Sequence, residues 1–243
     1  MSVPPIAADT LAIVVLGDVN QVGISSSWLL ERQLIGDAEA VATKVELLLP
    51  NEVSVFQSGW LRCLFRRGQL EVQTQQQAES ERLRDVVVGI LKMSSNASIA
   101  ALGINRTVHF ATENVRQWNA IGDSLVNHSI WDGLLPLPGM RSVVYWCGRK
   151  DNYAGRIQVQ IEPSTMVPYG IFVAYNDHYD LTKLASQPTT RAEAQAEART
   201  DNTDSTEEKV SVAIEVLNSN WETSMKLTDA IIERVWEQGR SVK

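Results

Sequence analysis

Three ionisable residues, Asp177, His178 and Asp180, form the densest cluster of metal-ligating and acid–base groups in the chain. Carboxylate and imidazole groups bind divalent metals and act as general acids and bases. Their spacing matches no zinc or nuclease motif. The cluster follows a predicted strand and precedes a long polar stretch, where turn-forming residues are common. A metal or acid–base site is therefore one hypothesis for these residues, and ordinary turn chemistry is the other.

Two basic clusters stand out in a chain that is acidic overall. Each falls on a predicted strand hairpin and has an aromatic residue close to it in sequence. The residues are Arg62, Arg66, Arg67 and Trp60 in the first cluster, and Arg149, Lys150, Arg156 and Tyr153 in the second. Arginine interleaved with aromatic residues can bind phosphates and stack on bases, whereas basic residues on hairpins also protect edge strands from aggregation. We expect the two hairpins to be equivalent and predict that they bind nucleic acid or another partner.

No sequence motif of a catalytic class is present. The chain lacks a G-x-S-x-G elbow, a P-loop and a G-x-G-x-x-G dinucleotide loop. His109 fits a partly buried strand residue, and His128 lies in a loop. Cys63 and Cys147 are too far apart for a metal-binding pair and fit buried apolar positions. We therefore assign no catalytic residue and expect no cofactor.

Composition narrows the class of protein further. The chain has 243 residues, a net charge of −7 and 44% hydrophobic residues. A free-standing, sequence-independent DNA binder is usually basic, because lysine and arginine supply most of its affinity for phosphates. From the N-terminal residues we expect no signal peptide, and no apolar run approaches the ~20 residues that a membrane-spanning helix needs. We expect a cytoplasmic protein with reduced cysteines.

Residues 8–97 predict the order strand, helix, four strands, helix. Residues 11–16 form an apolar run typical of a buried strand, and serines before residues 28–35 indicate the start of a short helix. Four short alternating segments separated by turn residues then predict an antiparallel meander. These segments are residues 45–49, 53–56, 60–67 and 69–73. Apolar residues at helical spacing from Leu83 to Leu91 predict the closing helix.

Residues 98–240 repeat this order. Residues 102–110 predict a strand, and Thr112 and Glu113 are predicted to cap the helix that follows. Further strands are predicted at residues 141–148, 156–161 and 170–175. A fourth strand is predicted where Val210, Val212, Ile214 and Val216 alternate with polar residues. Ser219 and Glu222 then fit an S-x-x-E capping box at the start of the last helix.

The second copy alone carries a polar insertion, residues 186–208, rich in alanine, threonine, glutamine and acidic residues. It contains no large apolar residue, so it cannot bury enough surface to offset its ordering entropy. We predict a flexible loop between two strands.

The repeated order resembles the TATA-binding-protein-like, or helix-grip, fold. That resemblance implies an α+β protein with two β-α-β(4)-α repeats, a curved antiparallel sheet and long helices packed on one face. The segment Leu102-Gly103-Ile104-Asn105 and the closing elements also resemble a sporadically distributed bacterial family of unknown function. Its members open their second half with a Leu-Gly-x-Asn or related motif. This resemblance implies no activity, although it fits a bacterial or phage accessory protein.

We expect a non-catalytic binding or assembly protein that acts through protein–protein contacts, including contacts with itself. The missing catalytic motifs and the seven tryptophans, a residue enriched at interfaces, favour this function. One alternative is a nucleic-acid-binding module that uses the arginine hairpins. Another is a small-ligand pocket between helix and sheet. The charge of the sheet face opposite the long helices discriminates between partners, because an acidic or apolar face favours a protein partner and a basic face favours nucleic acid.

Overall fold

The computed structural model describes residues 4–19, 24–49, 52–94, 96–182 and 206–240. Most of the predicted insertion at 186–208 lies outside these residues. Its last three residues, 206–208, begin a helix.

The strands form a single open, curved antiparallel sheet, so the predicted α+β class is confirmed. In chain order they are β1 (Ile6–Asp18), β2 (Lys44–Leu49), β3 (Val53–Ser58), β4 (Leu61–Arg66), β5 (Gln69–Thr74), β6 (Ser98–Ala111), β7 (Val143–Gly148), β8 (Gly155–Pro163) and β9 (Gly170–Asp180). Their spatial order is β2-β3-β4-β5-β1-β6-β9-β8-β7. The long strands β1 and β6 therefore pair at the centre, and β2 and β7 form the two edges.

Six α-helices accompany the sheet in the described residues. They are α1 (Ser26–Glu31), α2 (Asp37–Val41), α3 (Ser80–Lys92), α4 (Val115–Leu125), α5 (Thr206–Ser219) and α6 (Trp221–Gln238). Among the residues described, none of these helices has both the length and the apolar character that crossing a membrane requires.

The strands bury alternate residues on one face, and the helices cover that face. On β1 the buried residues are Leu11, Ile13 and Val15, as the period of two in a strand requires. One apolar cluster joins the β1 side of the sheet to α1, α3 and α5. A second cluster joins β8 and β9 to α4 and α6. The opposite sheet face, called the open face below, contributes no residue to either cluster.

A buried ion pair ties the two central strands together. Arg106 on β6 donates to both carboxylate oxygens of Asp9 on β1, at 3.0 and 2.8 Å. A third hydrogen bond of 2.6 Å reaches Asp229 on α6. Burial disfavours the charge of Arg106, but the bonds to Asp9 outweigh that effect and raise its pKa. Arg106 therefore holds β1, β6 and α6 in one arrangement.

The predicted fourth strand of the second half is wrong, because Val210 to Val216 lie in helix α5. Val210, Ala213, Val216 and Leu217 are the buried residues, and their spacing is that of one helical face. The β-branched residues favour a strand locally, but packing against α3 and β6 overrides such propensities. Glu207 in the first turn also favours the helix dipole.

Two predicted helix starts are also wrong. The cap of α4 is Asn114, whose side chain accepts from the Gln117 amide at 2.9 Å, rather than the Thr112–Glu113 pair. The capping box of Ser219 and Glu222 does not form, because Ser219 ends α5 and no side chain caps α6. The cap of α1 is confirmed, since Ser25 Oγ accepts from the Trp28 amide.

Candidate functional site

The structure brings together one residue from the second basic cluster and one from the acidic cluster. Arg149, in the turn between β7 and β8, pairs with Asp177 on β9. The same guanidinium donates to both oxygens of Asp151, at 2.8 and 2.6 Å. The side chains of Arg149 and Asp177 are each 4% exposed. The pair is therefore buried and holds the turn against β9.

Two further residues complete this network. The Arg149 guanidinium lies 3.7 Å from the ring centre of Tyr179, a cation–π distance. The Tyr179 hydroxyl donates to Asp177 at 3.1 Å. At the junction of α5 and α6, Asn220 donates to Asp151 at 3.0 Å. The network thus links the β7–β8 turn, β9 and the last two helices.

The electrostatics of the network favour fixed charges. Burial disfavours the charge of Arg149, but the hydrogen bond to Asp151 and the charge of Asp177 outweigh it and raise the pKa of Arg149. Burial also works against the charge of Asp151, yet Arg149 lowers the pKa of this carboxyl below its usual value. Burial raises the pKa of Tyr179. Arg149 and Asp151 therefore stay charged near pH 7, and Tyr179 stays neutral. Fixed states of this kind are expected of a structural network rather than an acid–base pair.

The tight turn depends on Gly155 at the start of β8. Its φ is +136°, and a Cβ there would lie 2.0 Å from the carbonyl oxygen of His178. Only glycine permits both this conformation and this approach. The Asp180 amide also donates to the Ala154 carbonyl at 2.9 Å, so the turn is fixed to β9 on both sides of Gly155.

A cavity of about 550 Å³ opens beside this network, between the β7–β8 turn and α5. Its lining includes Lys150, Tyr153 and Asp180, which the sequence singled out. The Tyr153 hydroxyl donates to Glu215 of α5 at 2.8 Å. Burial and this bond to Glu215 raise the pKa of Tyr153 to about 12. The cavity therefore has an aromatic wall, an acidic helix side and one lysine at its rim.

The three residues of the predicted metal or acid–base cluster do not converge. Because β9 continues to Asp180, the cluster lies within a strand rather than in a strand-exit turn. Asp177 is on the helix face, while His178 and Asp180 are on the open face. His178 lies opposite Arg156 on β8, and burial and this cation lower its pKa. Within the described ranges, no group of three or more His, Cys, Asp or Glu side chains could hold a metal ion.

Side chains of the first basic cluster contact other parts of the protein. Arg62 forms an ion pair with Glu46 at 2.8 Å, and Arg66 donates to Gln69. Trp60 is buried and donates to Glu39 at 3.3 Å. Arg67 is exposed in the β4–β5 turn. In the second cluster Arg156 lies over the ring of Trp146, at 4.5 Å from its centre.

The two arginine hairpins are not equivalent in the sheet. The β4–β5 hairpin adjoins the central strand β1, whereas the β7–β8 hairpin is an edge hairpin. Because neighbouring strands run in opposite directions, both turns lie at the same end of the sheet. Four strands separate β4 from β8, namely β5, β1, β6 and β9. The sequence prediction failed here because hairpin position depends on long-range strand order.

The charge on the open face is balanced. The strand register places cations from β2, β4 and β8 there, and anions from β2, β5, β8 and β9. The cations are Lys44, Arg62, Arg66 and Arg156, and the anions are Glu46, Glu71, Glu162 and Asp180. Between them lie amide side chains such as Gln73, Asn105 and Asn176. The face is polar but not basic.

A histidine–serine contact on the open face has a structural role. The ring of His109 bonds to Ser164 Oγ at 2.8 Å, and burial lowers the pKa of His109. Ser164 Oγ also accepts from the amides of Met166 and Val167, at 3.1 and 3.0 Å. A hydroxyl held by two backbone donors is a turn cap and a poor nucleophile. His128 is near Asp123, at 3.5 Å.

The connection from α4 to β7 exposes an unusual number of apolar side chains. They all lie in residues 130–137, called the apolar segment below, and are Ile130, Trp131, Leu134, Leu135 and Leu137. Leu137 is 98% exposed and has a φ of +50°, in the left-handed region. This conformation is rare for a residue with a branched side chain. The sequence shows these leucines, but no local pattern indicates that they are exposed.

Sequence reasoning also missed Asp151, Tyr179, Asn220 and Glu215 as members of the network and cavity. The alternation along β9 could have indicated that Tyr179 shares a face with Asp177. No local signal could have indicated Asn220 or Glu215, which depend on α5 being a helix.

No protein-family model and no curated protein sequence matches this chain.

Proposed function

We propose that this chain is a non-catalytic binding or assembly protein, of bacterial or phage origin, that acts through protein–protein contacts. The observation that carries the proposal is the apolar segment. Five large apolar side chains are exposed within eight residues, and a concentration of exposed apolar surface is typical of interaction sites on proteins. Trp131 supplies the kind of residue that anchors protein interfaces.

The conformation of Leu137 supports the same proposal. The left-handed region costs a residue other than glycine about 1 kcal/mol or more, and here the strain presents an apolar side chain to solvent. A partner that buries Leu137 would recover hydrophobic free energy that the isolated chain does not obtain. The open face is balanced in charge rather than basic, so it does not support nucleic-acid binding.

We also propose that residues 8–97 and 98–240 are two copies of one unit with the TATA-binding-protein-like resemblance, in which the first copy has the order β-α-β(4)-α and the second has a helix in place of the fourth strand. The central pairing of β1 with β6 supports it, since the other strands of each half then lie outward on their own side. Between its first helix and its last helices the second half has three described strands, where the first half has four.

Site-specific photo-crosslinking tests the proposed function. A photoreactive residue is placed at Leu137 in one variant and at Glu81, exposed on α3, in a control. We expect the position-137 variant to form discrete covalent adducts with another protein in cells, and the position-81 variant not to. Equal adduct patterns at both positions would overturn the proposal, as would turnover of nucleotides or nucleic acid that His178→Ala abolishes.

A second candidate function is small-ligand binding in the cavity beside Tyr153. A volume of about 550 Å³ falls in the range of small-molecule sites, about 300–1,000 Å³. Native mass spectrometry of the purified protein would then show a retained mass. The Val212→Trp variant fills the cavity wall and should lose that mass, while Val45→Trp on exposed β2 should retain it. A bare protein mass in all three proteins argues against this function.

A further inference from the structure

The two edge strands of the sheet differ in their protection. Strand β2 carries Lys44 and Glu46 and has a register shift between Val45 and Leu47. Charges and bulges of this kind prevent an edge from pairing with another strand. Strand β7 has the sequence Val-Val-Tyr-Trp-Cys-Gly, with no charged residue, no proline and an unbroken register with β8. The unprotected edge of the described sheet is therefore β7.

The side chains of β7 are also exposed. Val144 and Trp146 project on the open face, and Trp146 is 67% exposed. Tyr145 and Cys147 lie on the helix side and are exposed as well. No described strand pairs with the outer side of β7, so the backbone N–H and C=O groups on that side form no hydrogen bonds to a neighbouring described strand. An apolar edge with free backbone groups is a template for strand addition.

Strand direction decides which strand fits this edge. The nine strands alternate in direction, so the edges β2 and β7 run the same way. Head-to-tail addition of a second copy would place β7 beside β2 as a parallel pair, unlike every other pair in the sheet. A two-fold rotation about the sheet normal instead places β7 antiparallel to β7 of the other copy. Such a contact is isologous and closes as a dimer.

We propose that β7 pairs antiparallel with β7 of a second copy and joins two open faces into one continuous sheet. This inference rests on the proposed function, since it names a second copy as a protein that this end of the sheet binds. A two-fold along the sheet normal keeps each side chain on its own face. Opposite residues must therefore share a face, and two five-residue ladders within β7 satisfy this, one centred on Tyr145 and one on Trp146. The second sets Val144 opposite Gly148, which offers no side chain to pack, so we propose the ladder centred on Tyr145. That register sets Val144 opposite Trp146 and Val143 opposite Cys147.

The extent of β7 sets the expected strength of the contact. A standard interface uses about 20–30 residues on each side, and β7 offers six. The dimer is therefore expected to be weak and to dissociate on dilution in the micromolar range. No charged residue of β7 opposes the approach of the two strands.

Sedimentation velocity over a concentration series tests the pairing. We expect wild-type protein to shift from monomer to dimer, and Val144→Lys to weaken dimerisation at least tenfold, because the two lysines would lie diagonally across the new ladder and repel each other. Leu47→Lys is the matched control, because Leu47 is an equally exposed open-face residue on the other edge strand. It should dimerise as wild type does. A wild-type protein that stays monomeric at the highest concentration, or a control as impaired as Val144→Lys, overturns the proposal.

Disulfide trapping tests the register independently. With oxidised glutathione as the oxidant, Val143→Cys should form a covalent dimer through Cys147 of the other copy. The Val143→Cys, Cys147→Ser double variant should not. A covalent dimer that persists in the double variant contradicts the register. If both experiments fail, discrete adducts between position 137 and a different protein would still support the proposed function. The β7 pairing and the proposed function can therefore fail separately.

Discussion

Arg149 in the β7–β8 turn and Asp177 on β9 form an ion pair in which each side chain is only 4% exposed. The pair lies between the exposed edge hairpin and the helices that cover the sheet. Because it is buried, removing one partner leaves an uncompensated charge, and that cost exceeds the net contribution of an intact pair. The geometry of the edge hairpin therefore depends on this network.

Arg149→Met tests the network. We expect a loss of about 3–5 kcal/mol in the free energy of unfolding, because Asp177 and Asp151 lose their cation in a buried site. Urea unfolding followed by tryptophan fluorescence gives the value. Arg62→Met is the control, since Arg62 and Glu46 remain 30% and 40% exposed and such pairs contribute up to about 1 kcal/mol. Equal losses in the two variants would show that the Arg149 pair is not effectively buried.

Glu39 predicts a defined dependence of stability on pH. The Arg82 hydrogen bond, helped by one from the backbone, lowers the pKa of Glu39 from 4.5 to about 2, although burial opposes this. A lowered carboxyl pKa stabilises the fold above the unfolded pKa, and the contribution disappears as pH falls from about 4.5 to about 2. Near pH 7 we expect the free energy of unfolding of wild type to exceed that of Glu39→Gln by about 1 kcal/mol. The difference is small because Arg82 is half exposed and solvent screens the pair.

Unfolding curves of both proteins between neutral pH and pH about 2 measure this difference. It should shrink steadily through that acid range. Arg82→Met should abolish most of the same pH-dependent difference, because it removes the main cause of the shift. A stability difference between wild type and Glu39→Gln that is constant with pH would contradict the assignment.

Two glycines of one hairpin give a matched pair of variants. Gly155→Ala should destabilise the protein by about 2 kcal/mol or more, because a Cβ at φ +136° meets the His178 carbonyl. Gly148→Ala should change stability by less than about 1 kcal/mol, since nothing lies within 4 Å of its added Cβ. Thermal unfolding measures both, and hydrogen exchange at the Asp180 amide reports the turn itself. Similar effects in the two variants would argue against the close approach at Gly155.

The helical nature of α5 is testable with two lysine substitutions. In the helix Ala213 is fully buried and Val212 is only partly buried. Ala213→Lys should therefore lower the free energy of unfolding by about 3 kcal/mol or more, and Val212→Lys by less than about 1 kcal/mol. In an alternating strand the order would reverse, because Val212 would face the core and Ala213 the solvent. Chemical denaturation of the two variants therefore decides between the two structures.

Part of the fold could be predicted because its signals are local. The strict alternation around Ile104 and the helical spacing from Leu83 to Leu91 each specify one element, and both predicted elements are confirmed. Val212 and Ile214 show the limit of such signals. They alternate as in a strand, but the apolar face that includes Ala213 packs against the first half of the chain.

The candidate site could be predicted only in its parts. The sequence singled out Arg149 and Asp177 separately, and nothing local connects residues 28 positions apart. It also grouped His178 with Asp177, although neighbouring strand residues point to opposite faces. Extending β9 by five residues beyond the prediction was enough to separate them.

The sequence by itself determined the α+β class, most of the strands, the acidic balance and the absence of a catalytic motif, because these depend on composition and on the period of neighbouring residues. The tertiary structure decided that β1 pairs with β6, that Arg149 meets Asp177, and that β7 becomes an unprotected edge. These features depend on which distant segments pair, and that choice is fixed by the burial of whole faces rather than by any short stretch of residues.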